Sequence, residues 1–114
     1  NIIETMDETN CHEYTDMVSG MLEGFDVPEL KHCDVTKFSY DGTKHGAECK
    51  EIPIRVYRKK GSRNSRCVVY YHGGGGIIGS VDLCKYIYAR IAVRGDVSVV
   101  AVGYGLGPHQ KWPE

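Results

Sequence analysis

An apolar run at residues 67–71 ends at His72 and is followed directly by four glycines, residues 73–76. The run predicts a buried strand, and the glycines predict a turn at its carboxyl end. Because glycine lacks a Cβ atom, its backbone adopts positive φ readily and lies close to a ligand. Backbone N–H groups that are freed in such a loop need an acceptor. The segment therefore predicts a site for a permanent or transient anion at the end of a sheet strand.

Two phosphate-binding sites use glycines in this way, and the sequence favours neither. A P-loop needs a lysine before its final Ser or Thr, but Ile78 precedes Gly79 and Ser80, and no lysine lies in the loop. A dinucleotide-binding turn matches G-x-G-x-x-G at residues 74–79, but it also needs an acid at the end of the next strand. Asp96 precedes the next predicted strand instead of following it. A nucleotide-binding domain is therefore a distant alternative.

A third type of site is the oxyanion loop of an ester hydrolase, in which His-Gly-Gly-Gly follows the third strand. Further motifs follow this one in a fixed order and spacing. Together they resemble the hormone-sensitive-lipase group of α/β-hydrolases, which includes arylacetamide-deacetylase-like and related carboxylesterases. The resemblance covers residues 35–114 and rests on Tyr70-Tyr71-His72-Gly73-Gly74-Gly75, Ile78-Gly79-Ser80, Tyr104, Leu106, Pro108 and Pro113.

The resemblance implies an α/β-hydrolase fold. Because members of this group are much longer than 114 residues, we expect its amino-terminal part: strands 1–4 and the first helix of a mostly parallel sheet, preceded by a helical lid arm. Residues 1–34 would be the acidic helical arm that serves as a lid, and residues 35–114 the amino-terminal part of the hydrolase domain. The chain starts at Asn1 and stops at Glu114 inside a motif, so we expect both ends to be cut. A missing start would hide a signal peptide or a membrane anchor, which leaves the compartment open.

The resemblance also implies roles for four residues of the loop. The backbone N–H groups of Gly74 and Gly75 would form the oxyanion hole, and Gly73 would permit the turn. His72 would hold the loop, with its imidazole bonded to nearby backbone. The catalytic base of the family is a different histidine near the carboxyl terminus, so His72 is not expected to act as the base.

The catalytic triad is not found in this chain. The nucleophile of the fold lies in a G-x-S-x-G turn, and no serine here fits that pattern. Ser80 follows Gly79 but has Asp82 two residues further on, and Ser98 lies inside a predicted strand. The parent protein is expected to hydrolyse carboxylic esters of small or lipophilic substrates through an acyl-serine mechanism without a cofactor. The segment alone is expected to be inactive.

Three positions depart from the family pattern and leave a second hypothesis open. Gly76 stands where an aromatic residue is usual, and Gly105 and His109 replace an arginine and a glutamate. These departures favour the alternative of a non-catalytic small-molecule-binding protein on the same fold.

The distribution of charge along the chain indicates which kinds of partner it can bind. Residues 1–34 contain nine acids and one lysine, a net charge of −8, whereas residues 35–114 contain six acids and thirteen Lys or Arg, a net charge of +7. The basic residues are scattered, which argues against nucleic-acid binding.

The five cysteines include no C-x-x-C pair, so we expect no metal site and reduced thiols. Cys67 and Cys84 are predicted to be small buried residues. The oligomeric state is left open.

Hydrophobic spacing predicts the remaining elements. Strands are expected at residues 35–40, 52–57, 67–71 and 97–102, with Pro53 at a sheet edge or a strand start. Asp82 is expected to cap a helix that runs to about residue 93 and ends at Arg94-Gly95. Strand, helix and strand then form a crossover between parallel strands.

The amino-terminal thirty residues are predicted to be helical. Five apolar residues recur on one face of this helix, which we expect to pack on the core, with contact to substrate under a lid as the alternative. They are Met17, Val18, Met21, Leu22 and Phe25.

Overall fold

The computed structural model describes residues 8–22, 27–46 and 51–106. Two α-helices and four strands form within these ranges, together with two short 3-10 turns, Pro28–His32 and Gly42–His45. In chain order the main elements are α1 (Glu8–Leu22), β1 (Cys33–Tyr40), β2 (Ile52–Lys59), β3 (Cys67–Tyr71), α2 (Lys85–Gly95) and β4 (Ser98–Val102).

The four strands form one mixed sheet in the order β1-β2-β4-β3. β1 pairs antiparallel with β2, and β2 pairs antiparallel with β4. β3 and β4 are parallel and are joined through α2. The predicted parallel crossover is therefore confirmed, while the other two of the three described strand pairs are antiparallel. The carboxyl ends of β3 and β4 lie at the same sheet edge, which is where the loop after β3 begins.

The core lies between α2 and one face of the sheet. Tyr88, Ala89 and Ala92 of α2 are fully buried, as are Val99 and Ala101 of β4. Small alanines let the helix approach the sheet closely, and the large Tyr88 ring fills the space that they leave.

Two further tyrosines surround Tyr88. The ring of Tyr57 lies 5.3 Å from the Tyr88 ring, and the ring of Tyr70 lies 5.0 Å from it, edge to face. Burial raises the pKa of the Tyr88 phenol well above its ordinary value. The cluster therefore remains neutral, and its apolar area together with its ring geometry stabilises the contact between helix and sheet.

An ion pair fastens the turn before β1 to α2. The Glu29 carboxylate lies 2.8 Å from Nη2 of Arg94, and its other oxygen lies 3.9 Å from Nε of Arg90. The Glu29 side chain is only 12% exposed, so the carboxylate of this ion pair is shielded from solvent. The pKa of Glu29 is lowered by its own backbone N–H first and then by the guanidinium of Arg94.

The arm helix differs from the sequence prediction. Met17 and Met21 are 54% and 71% exposed, so the expected packing of these two residues on the core is wrong. Val18, which also belongs to the predicted face, is half-buried as expected. Tyr14 and Thr15, which were not predicted to pack, are half-buried as well. Of the other two residues in the predicted face, the side chain of Leu22 and all of Phe25 lie outside the described part of the chain.

The boundaries of α2 also differ. The helix begins at Lys85 after Cys84 and not at Asp82, because the Asp82 carboxylate pairs with Arg55 of β2 at 3.2 Å. Gly95 is still helical, and the left-handed residue that ends the helix is Asp96, with φ 46°. Its carboxylate accepts a hydrogen bond from the Ser62 hydroxyl at 2.6 Å, which holds the non-glycine residue in that conformation.

Two smaller expectations are settled by the sheet order. Pro53 is the second residue of a central strand, so the strand-start alternative holds and the edge alternative does not. Cys67 is exposed, which contradicts the predicted burial, because it begins β3 at the end of the described strand order. Cys84 is half-buried, and the thiols of Cys33, Cys67 and Cys84 are all free.

Among the described helices, none combines the length and apolar composition that crossing a bilayer requires.

Candidate functional site

The glycine loop, residues 72–80, connects β3 to the turns that precede α2. His72 is the first residue after β3, and Tyr104 is the second residue after β4. Because β3 and β4 are parallel neighbours, these two residues meet at one edge of the sheet. The predicted placement of the loop at the end of a strand is confirmed.

His72 is held on three sides. Its side chain is buried, with the residue 3% exposed, and its ring stacks on the ring of Tyr104 with centroids 4.4 Å apart. The hydroxyl of Tyr104 donates to the backbone carbonyl of His72 at 2.5 Å. Burial raises the pKa of Tyr104, so its hydroxyl stays protonated and available as a donor. Nδ1 of His72 lies 2.8 Å from the carbonyl oxygen of Gly73, and because a carbonyl only accepts, Nδ1 carries the proton.

The bond from His72 fixes the direction of the next N–H group. The Gly73 carbonyl and the Gly74 N–H belong to one peptide unit, which is planar and trans. In such a unit the C=O and N–H bonds point in opposite directions. The Gly74 N–H therefore points away from the imidazole that holds the Gly73 carbonyl.

The following peptide unit is held in the same way. The carbonyl oxygen of Gly74 accepts from the N–H groups of Ile77 and Ile78 at 3.2 and 3.1 Å. The N–H of Gly75 belongs to that unit and so points away from the turn. Within the described ranges, neither the Gly74 nor the Gly75 N–H donates to an acceptor. The loop thus presents two donors whose peptide planes are both anchored through their carbonyls.

Backbone conformation explains why glycine is needed at two of these positions. Gly74 has φ 135°, and a Cβ atom there would overlap the carbonyl oxygen of Ile78. Gly79 has φ 109°, and a Cβ atom would come within 2.6 Å of Nδ1 of His72. Side chains at these positions would displace the loop or the imidazole.

The arm helix contacts the loop at its far end. The N–H of Gly79 donates to the hydroxyl of Thr15 at 3.1 Å, across 64 positions of sequence. The sequence did not predict a role for Thr15, since a threonine inside an amphipathic helix carries no signal of such a contact. The hydrogen bond from Tyr104 to His72 was also not predicted, because it joins residues 32 positions apart, although the tyrosine itself was part of the recognised motif.

A cavity of about 350 Å³ lies beside the loop. Its walls include His72, Gly79 and Ser80 from the loop, and Tyr104 and Leu106 from the segment after β4. Gly74 and Gly75 do not line it, so the two anchored N–H groups lie outside this cavity. The volume falls in the range of small-molecule sites.

In the described part of the chain, no serine hydroxyl is hydrogen-bonded to a histidine. The hydroxyl of Ser62 is bonded to Asp96, and neither Ser80 nor Ser98 is hydrogen-bonded to a histidine in the described part of the chain. In the same part, no group of three His, Cys, Asp or Glu side chains is close enough to hold a metal ion. The anchored N–H groups of Gly74 and Gly75 can donate hydrogen bonds to an anion, and no described serine has a histidine partner that would activate it for attack.

The chain is similar to known proteins over most of its length. The α/β-hydrolase fold family matches residues 68–114. Arylacetamide deacetylase-like 3 from Homo sapiens is 38% identical over 93 residues, covering 77% of this chain and 21% of that protein. Carboxylesterase NlhH from Mycobacterium tuberculosis is 38% identical over 88 residues, covering 76% and 25%. The chain thus spans about a fifth to a quarter of the length of these relatives.

Solved structures show the same fold. The hyperthermophilic esterase from the archaeon Pyrobaculum calidifontis superposes with a TM-score of 0.72 at 31% identity, covering 95% of this chain and 33% of that one. The thermostable carboxylesterase EstE1, cloned from a metagenomic library, superposes with a TM-score of 0.78, covering 97% and 35%. Its identity of 24% makes it a match of fold alone.

Proposed function

Because this chain belongs to the α/β-hydrolase family and is carboxylesterase-like, we propose that its glycine loop is the oxyanion hole of a carboxylic ester hydrolase. Ester hydrolysis by an acyl-serine route passes through a tetrahedral intermediate with a negatively charged oxygen. Gly74 and Gly75 donate their N–H groups to that oxygen as the charge develops. The ester substrate is a small molecule, and the chemistry needs no cofactor.

The observation that carries this proposal is the anchoring of both peptide planes. His72 holds the Gly73 carbonyl, and the turn at Ile77 and Ile78 holds the Gly74 carbonyl. Donors that are fixed before the reaction act without reorganising, and loss of one typically costs on the order of 10²–10³ in rate. The adjacent N–H of Gly76 has no such anchor, since the Gly75 carbonyl accepts no hydrogen bond within the described residues.

His72 and Gly73 act through the loop and not on the substrate. The imidazole donates from Nδ1 to backbone and stacks on Tyr104, so it is committed to holding the turn. Gly73 follows it with open space where a Cβ atom would lie. In this proposal the catalytic base is another histidine, and other parts of the parent protein supply it together with the serine and the acid.

A second candidate function is small-molecule binding without catalysis. The cavity of about 350 Å³ beside His72 and Tyr104 supports it, because that space would remain whether or not a nucleophile is present. Gly76 and Gly105 support it as well, since both depart from the pattern of the resembled esterases.

The test compares two lengths of the same reading frame. The 114-residue chain is expected to give no hydrolysis of a short p-nitrophenyl ester above a control protein, because it contains no G-x-S-x-G serine. The complete reading frame is expected to hydrolyse the ester and to lose activity when its G-x-S-x-G serine is changed to alanine. A complete frame without such a serine, or without turnover, would instead favour the binding protein.

A further inference from the structure

We propose that Thr15 is a positioning residue that couples the arm helix α1 to the oxyanion loop, an inference that rests on the proposed function of that loop. The hydroxyl of Thr15 accepts the N–H of Gly79 at 3.1 Å. Thr15 is half-buried in the middle of α1, on the face that meets the domain. The bond therefore joins α1 to the glycine loop. These two segments are far apart in sequence, and no strand pairing of the described sheet connects them.

The partner of Thr15 is a donor that needs an acceptor. Gly79 is buried, and a buried N–H group without a hydrogen bond is unfavourable. A threonine hydroxyl inside a helix commonly bonds to a carbonyl of its own helix. The hydroxyl of Thr15 instead accepts a hydrogen bond from Gly79, which lies outside the helix. Without the Thr15 hydroxyl, the Gly79 N–H has no acceptor in the described part of the chain.

The contact continues from Gly79 to the proposed donors. Gly79 lies so close to the His72 imidazole that no Cβ atom fits between them. The same imidazole holds the Gly73 carbonyl and so sets the direction of the Gly74 N–H. One chain of contacts thus runs from Thr15 through Gly79 and His72 to Gly74. Through these contacts, the position of the arm determines whether the N–H of Gly74, the first proposed oxyanion donor, is correctly aimed.

The coupling can be measured without any ester by hydrogen exchange on the 114-residue chain, followed by mass spectrometry at low protein concentration. Thr15→Val keeps the side-chain shape and removes the hydroxyl, whereas Thr15→Ser keeps the hydroxyl. We expect Thr15→Val to speed exchange in the peptide covering residues 72–80 at least tenfold, and Thr15→Ser to stay within about threefold of the parent chain.

A matched variant separates coupling from general loss of stability. Glu29→Gln breaks the ion pair with Arg94 and has no contact with the loop. We expect it to leave exchange of residues 72–80 within about threefold. Equal acceleration by Glu29→Gln and Thr15→Val, or no rescue by Thr15→Ser, would overturn the proposal.

The complete reading frame gives a second, independent readout. There, Thr15→Val should lower kcat about tenfold with little change in KM, and Thr15→Ser should restore it, because the coupling acts on a transition-state contact. A normal kcat in Thr15→Val would overturn the positioning role even when exchange is accelerated. Accelerated exchange in a frame that shows no hydrolysis would count against the oxyanion function and leave the coupling of arm and loop established.

Discussion

The hydroxyl of Tyr104 donates to the backbone carbonyl of His72, and the rings of the same two residues stack 4.4 Å apart. One side chain thus holds both the backbone and the imidazole at the start of the glycine loop. Tyr104→Phe keeps the stacked ring and removes the donor, so we expect it to lower the free energy of unfolding by about 1 kcal/mol. Tyr104→Leu removes both contacts and should cost more.

Urea unfolding of the two Tyr104 variants measures these differences. Tyr40→Phe is the matched control, because Tyr40 is 39% exposed on β1 and lies away from the loop. Equal effects of Tyr104→Phe and Tyr40→Phe would show that the bond to His72 contributes nothing to stability.

Neighbouring glycines of the loop should respond very differently to alanine. Gly74→Ala places a Cβ atom against the carbonyl of Ile78 at a φ of 135°, so we expect a loss on the order of 2 kcal/mol or more. Gly73→Ala meets nothing within 4 Å and has no positive φ, so it should change stability by less than about 0.5 kcal/mol. Thermal melts of the two variants check this, and a reversed order would mean that the turn is built differently.

The Glu29 ion pair should make stability depend on acid pH. The folded-state pKa of Glu29 lies below its ordinary value of 4.5, through its backbone N–H and then through Arg94. Its contribution is therefore fully present above pH 4.5 and is lost as the pH falls through the lower folded value. We expect Glu29→Gln to be less stable than the parent chain at pH 7 and to converge with it at acid pH.

Urea unfolding midpoints measured from pH 7 down to acid pH test this prediction for Glu29. Glu13→Gln, which changes an exposed acid of α1, is the control. A constant difference between Glu29→Gln and the parent chain at every pH would contradict it.

The sheet face opposite α2 carries a row of apolar residues that should make the chain associate. Register places Phe38, Ile54, Val102 and Tyr71 side by side across the four strands. Phe38 and Tyr71 are 48% and 64% exposed. Exposed apolar area of this kind favours self-association.

We expect the parent chain to form concentration-dependent oligomers in analytical ultracentrifugation. Tyr71→Lys should weaken them, because the charge lies on β3 at the end of the described strand order. Tyr40→Lys places the same charge at the far end of the order and serves as a comparison. A parent chain that is monomeric at all concentrations would contradict the expectation.

Local patterns predicted the strands well, because alternation and apolar runs record which face a residue occupies. The anchoring of the loop could be predicted only in part. His72 and the glycines belong to one short motif, so their proximity follows from the chain itself. The resemblance to carboxylesterases added the proposed roles of Gly74 and Gly75, which no spacing could have supplied.

Contacts between distant segments could not be predicted from local pattern. Thr15 meets Gly79 across 64 positions, and Glu29 meets Arg94 across 65. Asp82 was expected to cap α2, since aspartate favours that position, but Arg55 from another strand competes for its carboxylate. The exposed Met17 and Met21 show the same limit, because an apolar stripe does not say which surface it will meet.

Steady-state kinetics of Gly75→Val in the complete reading frame tests whether Gly74 and Gly75 stabilise an oxyanion. Gly75 and Gly76 have similar φ values of 67° and 74°, and a Cβ atom at either meets nothing within 4 Å. Valine should therefore strain both positions equally, yet only Gly75 is a proposed donor. We expect Gly75→Val to lower kcat by on the order of 10² or more with a smaller change in KM, and Gly76→Val to lower it much less. A near-normal kcat in Gly75→Val, with an unchanged melting temperature, would contradict the oxyanion hole and favour the binding protein.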